Sequence, residues 1–149
     1  MTKIQKRISE ALEILQQLGL PKEQLNERTA ICLLALLELP INKTWGQASN
    51  PLLGIRAILD FAREKLEHNY AENTRESIRK YSVKHLVAAG ILLHNPDQPD
   101  RAVNSSLNCY QVEPTALVLF RKFGSLNWKK ALPAYLTHRP TLAEQFAQH

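Results

Sequence analysis

Cysteine and glycine are scarce in this 149-residue chain, two of the first and five of the second, and each shortage removes a class of function. Cys32 and Cys109 lie far apart, with Cys32 inside an apolar run, so neither a disulfide framework nor a zinc finger has its ligands. Two buried free thiols in a reducing compartment are expected. The histidines, His68, His85, His94, His138 and His149, are scattered and fall into no metal-ligand spacing. No glycine-rich phosphate loop and no Ser-His-Asp order stands out, so the chain offers no catalytic residue, no metal site and no cofactor of its own. Long apolar runs are missing too. The longest, Ala30 to Ile41, is interrupted by Glu38 and Pro40 and is too short to span a bilayer. Lys3, Lys6, Arg7, Glu10 and Glu13 break up the start of the chain, which excludes a signal peptide. The expected location is the cytoplasm, away from any membrane. Internal repeats and low-complexity tracts are absent as well.

What remains is a globular composition, 44% hydrophobic and 22% charged, in a chain of a length suited to one domain over 1–149. Its net charge of +5 favours polyanionic partners through long-range attraction and counterion release.

Helical periodicity dominates the pattern. Ile4, Ile8, Ala11, Leu15 and Leu18 form one stripe that Gly19 ends. Asn26 caps a second helix running to Leu39, apolar all round and therefore central, which Pro40 stops. Asn50 and Pro51 read as the start of a third helix, with Leu52, Ile55, Leu59, Ala62 and Leu66 packing inward. Trp45 before it and Trp128 after it are expected to fill the core.

The stretch Asn73 to Gly90, NTRESIRKYSVKHLVAAG, organises the rest. Asn73 and Glu76 have capping-box spacing, and Gly90 suits a left-handed helix end. Ile78, Ser82, Leu86 and Ala89 share the packing face, whereas Glu76, Ser77, Lys80, Tyr81 and Lys84 share another. Ile91 to Leu93 then reads as one strand and Cys109 to Glu113, with Tyr110 and Val112 alternating against Gln111 and Glu113, as a second. The linker between them, NPDQPDRAVNSSLN, is made of turn formers. Two helices, a turn and a hairpin are the elements of a winged helix. Beyond the wing, Pro114 opens a helix closed by Gly124, and Asn127 caps another that Pro133 either kinks or begins. Thr141 and Glu144 form one more capping box. The expected fold is therefore mainly α. A winged helix-turn-helix core, helices plus a two-stranded β-hairpin wing at about 50–113, carries additional N- and C-terminal helices.

Duplex DNA is the partner this arrangement suits. Glu76, Ser77, Lys80, Tyr81 and Lys84 are the base-reading candidates, since Lys donates to guanine O6 and N7 and Glu accepts from cytosine N4. Glu76 also matches a cap, and Tyr81 also fits a helix edge. Asn73, Thr74, Arg75 and Arg79, near the helix N-terminus, suit phosphate, as do Arg101, Asn104 and Ser105 in the wing. Asp97 and Asp100 bring negative charge to that same wing tip. On this basis Arg101→Ala weakens binding evenly across sequences and flattens the salt dependence, whereas Lys80→Ala relaxes specificity.

The block from Leu53 to Gln111 resembles the N-terminal helix-turn-helix region of BsuBI/PstI-type Type II restriction endonucleases. The carrying segments are LLGIRAILDFARE (52–64), YAENTRESIRKY (70–81), HLVAAGILLHNPDQPDRAVNS (85–105) and YQVEPTALVLFRKFG (110–124). LPAYLTHRPTLAEQFA (132–147) is similar as well. The resemblance implies the DNA-binding half of a restriction-modification enzyme. Its Mg²⁺-dependent PD-(D/E)xK nuclease domain would lie downstream, and its usual target would be the palindrome CTGCAG, which suits a homodimer by symmetry. In this chain the catalytic domain is absent: no Asp or Glu is followed by x-Lys, so Pro96-Asp97 and Pro99-Asp100 find no partners for a metal site, and no cutting by the chain alone is expected. Two alternatives share the fold without that role. One is a free-standing winged-helix transcription regulator or DNA-modification reader; the other is a winged-helix protein-interaction module.

Overall fold

The computed structural model describes residues 1–137, so the helix expected from Thr141 and Glu144 lies outside the described residues. Helix α1 (Lys3–Gln17) starts at a capping box: the Thr2 hydroxyl accepts from the Gln5 amide, and the Gln5 side chain accepts from the Thr2 amide at 2.8 Å. Its apolar stripe buries Ile8, Ala11, Ile14 and Leu15, and Gly19, at φ +86°, turns the chain away. Helix α2 (Glu27–Leu36) is capped by Asn26, whose Oδ1 accepts from the Thr29 amide at 2.9 Å. Every residue from Thr29 to Leu36 is buried, as an all-round apolar helix requires, and α2 packs against α1, the helix at 55–66 and the helical stretch at 74–88. The helix ends before Pro40 is reached, because Glu38 adopts a left-handed conformation at φ +50°.

The third helix differs from the expectation at its start. Asn50 and Pro51 do not open it; α3 (Ile55–Leu66) begins after Gly54, and Leu52 is 44% exposed. Residues 51–54 are drawn out because Leu53 exchanges two backbone hydrogen bonds with Tyr110, at 2.9 and 2.8 Å. Asn50 itself ties to the wing, its Nδ2 donating to the Val112 carbonyl while its own carbonyl accepts from Gln111 Nε2. The wing sheet pairs β1 (Leu92–His94) antiparallel with β2 (Tyr110–Val112), Leu93 opposite Gln111. The Leu53 bridge adds a short third member on the other side of β2. Tyr110 and Val112 point into the core, following the alternation in the sequence.

Between α3 and the wing lies the recognition helix, and it is not uniformly α-helical. It runs as α4 (Thr74–Ile78), a π-helical turn (Arg79–Val83) and α5 (Lys84–Ala88), with the Lys84 amide bonding back to the Arg79 carbonyl. Ile78, Ser82, Leu86 and Ala89 are buried as the pattern required, and Val83 is buried beside them. A wider turn lets two consecutive residues, Ser82 and Val83, face inward. Gly90 closes the helix at φ +79°.

After the wing, α6 (Pro114–Phe120) carries Pro114 in its first turn, with Glu113 as cap accepting from the Ala116 amide at 2.8 Å. Helix α7 (Trp128–Thr137) keeps Pro133 in its interior, not at its start. Phe123 meets Trp45 and Trp128 edge-on, at 5.3 and 5.1 Å between ring centroids. The two indole nitrogens donate to Glu10 and Gln17 of α1, so both tryptophans are core residues with their polar atoms satisfied. These contacts hold α7 on α1, and among the described residues the outward face of the recognition helix stays exposed. Cys32 is buried, and burial pushes its thiol up to about 12; Cys109 is only partly buried, contrary to expectation.

Candidate nucleic-acid interface

The recognition helix enters through a turn, not a side-chain cap. Asn73 sits at φ −70° and ψ −7° and its side chain makes no capping bond. The first amides are satisfied by backbone carbonyls instead, Thr74 to Ala71 at 2.9 Å and Arg75 to Glu72 at 3.3 Å. Glu76 is thereby released from the expected capping box. It pairs with Arg79 at 2.6 Å, a contact that holds the Glu76 carboxyl below its usual range and raises the Arg79 guanidinium.

The outward face carries Glu76, Lys80, Tyr81 and Lys84 exposed, with Ser77 half-buried. Among the described residues neither Lys80 nor Lys84 lies within ion-pair distance of a carboxylate, although Lys80 adds to the field that lowers Glu76. The arginines differ: Arg75 bonds Glu72 at 3.5 Å, and Arg79 is shared with Glu76. Thr74 is half-buried at the helix start.

A trough separates this helix from the wing. Its larger part, about 540 Å³, is lined by Arg79, Lys80, Lys84, His94, Val103 and Tyr110. His94 stacks on Tyr110 with ring planes 17° apart, giving the trough an aromatic floor on the β side. The smaller part, about 310 Å³, brings Arg75 and Arg79 of the helix together with Asn104 and Ser105 of the wing. It adds Arg56 and Ser106, which the sequence did not mark. Arg56 lies in the first turn of α3, and it was missed because the helix was read as starting four residues too early. Gly54 fits here for a steric reason, since a Cβ would come within 3.2 Å of the Asn108 carbonyl.

Arg101 is the wing residue placed differently from the expectation. Its side chain is 9% exposed and is consumed inside the loop. Nη1 donates to the Asn95 side chain at 3.1 Å and to the Leu107 carbonyl at 2.9 Å, and Nη2 donates to Asp97 at 2.8 Å. A guanidinium with those partners braces the wing and has little left for phosphate. Asp97, which looked like a charge conflicting with DNA, is its counter-ion. The pairing lowers the Asp97 carboxyl from 3.8 to about 2. Because the folded pKa lies below the unfolded one, this contribution is present above the ordinary carboxylate range and disappears as pH falls through about 2. An NMR titration is expected to show the Arg101 side-chain and Asn95 amide signals unchanged down to pH 3.8 and moving together below it, towards about 2.

The described residues contain no group of three or more His, Cys, Asp or Glu able to hold a metal ion, and no helix among them is long and apolar enough to cross a membrane. The family model of the BsuBI/PstI restriction endonuclease HTH domain matches residues 5–144. The chain belongs to this family. Among relatives of this BsuBI/PstI-type HTH domain, the Type II restriction enzyme BsuBI of Bacillus subtilis is 43% identical over 141 residues, covering 95% of this chain and 45% of that protein. The Type II restriction enzyme AplI of Arthrospira platensis is 35% identical over 137 residues, covering 92% and 42%. The structure of SdaI restriction endonuclease superposes with a TM-score of 0.85 at 30% identity, over 95% of this chain and 44% of that one. The BsuBI/PstI-type HTH domain thus spans less than half the length of these relatives.

Proposed function

We propose that this chain is the DNA-binding domain of a Type II restriction endonuclease, placing the recognition helix in the major groove and the wing on adjacent backbone. The observation that carries this reading is the pair of exposed lysines, Lys80 and Lys84, that line the trough on the outward face of the recognition helix with no carboxylate within ion-pair distance among the described residues. Ammonium groups there remain free to donate to guanine edges. In this reading Glu76, Ser77 and Tyr81 complete the base-facing set. Asn73, Thr74, Arg75 and Arg79 hold phosphate at the helix start, with Asn104 and Ser105 across the trough.

The reaction itself is assigned to a partner domain, since the chain lacks the second carboxylate and lysine of a PD-(D/E)xK centre. Mg²⁺ belongs to that domain. The test is duplex binding followed by fluorescence anisotropy over a salt series, on a sequence selected from a random pool and on a scrambled control. Binding is expected to be tightest at low salt, with log Kobs falling linearly against log salt. Supercoiled plasmid incubated with the chain and Mg²⁺ is expected to stay intact. Absence of duplex binding at low salt would overturn the proposal, and the mass of the complex on a palindromic duplex reports whether two copies bind.

A further inference from the structure

On the flank of the recognition helix away from the trough, a third element reaches the outward face. Arg28, in the first turn of α2, donates Nε to the Ser82 hydroxyl at 3.0 Å, and that hydroxyl also bonds Thr29 Oγ1 at 2.9 Å. Ser82 is wholly buried and sits inside the π-helical turn. Arg28 is thereby fixed at its Nε, and its guanidinium carbon lies over the Tyr81 ring, 5.8 Å from the centroid. Lys80 Nζ lies 5.3 Å from the same centroid. Two cations therefore share one exposed aromatic ring. The nearest acidic neighbour in sequence, Glu27, is engaged with His68 at 3.0 Å. Among the described residues the two terminal amino groups of Arg28 have no hydrogen-bond or ion-pair partner.

We infer that Arg28 is a further DNA-contacting residue that binds a backbone phosphodiester at the edge of the groove, on the flank opposite the wing. A planar guanidinium held by Nε and by stacking loses little freedom when its outer nitrogens meet a phosphate, and the planar fork matches phosphate oxygens in pairs. Repulsion between Arg28 and Lys80 is relieved by an anion placed between them. With Arg75, Arg79 and the wing on the trough side, this contact gives the duplex a grip on each side of the reading helix. Tyr81 then serves as the platform that orients two cations, and its ring is covered in part before any base arrives. The inference rests on the DNA-binding reading above.

Arg28→Gln and Arg28→Lys separate charge from packing. Gln keeps a donor for Ser82 and removes the charge; Lys keeps the charge. With the selected and scrambled duplexes, Arg28→Gln is expected to reduce the slope of log Kobs against log salt by about 0.9, the value for one phosphate contact. The ratio of affinities for the two duplexes should stay at the wild-type value, and Arg28→Lys should retain the wild-type slope. Circular dichroism and thermal melting confirm that both variants are folded. An unchanged slope in a folded Arg28→Gln protein, or an equal loss in both variants, would overturn the inference. If the wild-type chain binds neither duplex at low salt, it is the DNA-binding reading that fails.

Discussion

Replacing Lys80 and Lys84 together with alanine is expected to weaken binding of the selected duplex by about 2–6 kcal/mol, taking about 1–3 kcal/mol for each base contact. Affinity for a scrambled duplex should fall far less, so the specificity ratio collapses. The argument rests on the difference between these lysines and the arginines nearby. Arg79 is bonded to Glu76 and Arg75 to Glu72, so each must exchange a protein carboxylate for DNA, whereas Lys84 and Lys80, the latter over the Tyr81 ring, break no ion pair. Both side chains are exposed, so their removal leaves the core intact and the melting temperature close to wild type. Anisotropy on the two duplexes decides the matter. An equal loss on both would mean that the lysines hold phosphate and that the reading falls to Ser77, Tyr81 or Glu76.

Asn95→Ala is expected to destabilise the wing by about 3 kcal/mol or more, the largest single effect outside the apolar core. Asn95 is 1% exposed and sits at φ +50°, a conformation that asparagine tolerates and alanine resists by about 1–2 kcal/mol. Its Oδ1 accepts from the Cys109 amide at 2.8 Å and from Arg101, and its Nδ2 donates to Asn108 Oδ1 at 2.6 Å. Asn108 in turn donates to the carbonyls of Val103 and Ser105. Truncation leaves the Cys109 amide without its acceptor, at about 1–3 kcal/mol for a donor left buried, and removes one of the acceptors that hold Arg101, which keeps Asp97 and the Leu107 carbonyl. Thermal melting measures the loss, and amide exchange across 95–109 locates it. A melt within about 1 kcal/mol of wild type would show that Asn95 does not organise the loop. Arg101→Ala should resemble Asn95→Ala in exchange and leave the salt slope near wild type, the reverse of what its charge alone suggests.

Most of the helical framework was legible because periodicity and end signals acted locally. The Ile4-to-Leu18 stripe, the Asn26 cap, Pro114 in the first turn of α6 and the left-handed Gly19, Gly90 and Gly124 all appear where the sequence placed them. The errors come from competing hydrogen-bond partners, one distant and one local. Asn50 and Pro51 carry a convincing helix start, yet Tyr110 draws Leu53 into the sheet, and two backbone hydrogen bonds outweigh a cap that would be worth about 1 kcal/mol. Asn73 and Glu76 have the spacing of a capping box, but the turn from Ala71 had already satisfied the first amides.

The sequence by itself determined that this chain makes capped helices around a hydrophobic α2, presents a basic outward face at Lys80 and Lys84, and carries the pattern of its family. Those properties depend on residue type and on spacing within a few turns. Tertiary structure alone decided which cations remain available. It spent Arg101 inside the wing, tied Arg79 to Glu76, brought Arg56 into the trough and laid Arg28 across Tyr81 from more than fifty positions away. A charge in a sequence has no partner until the fold supplies one, and that supply is what separates a brace from a contact.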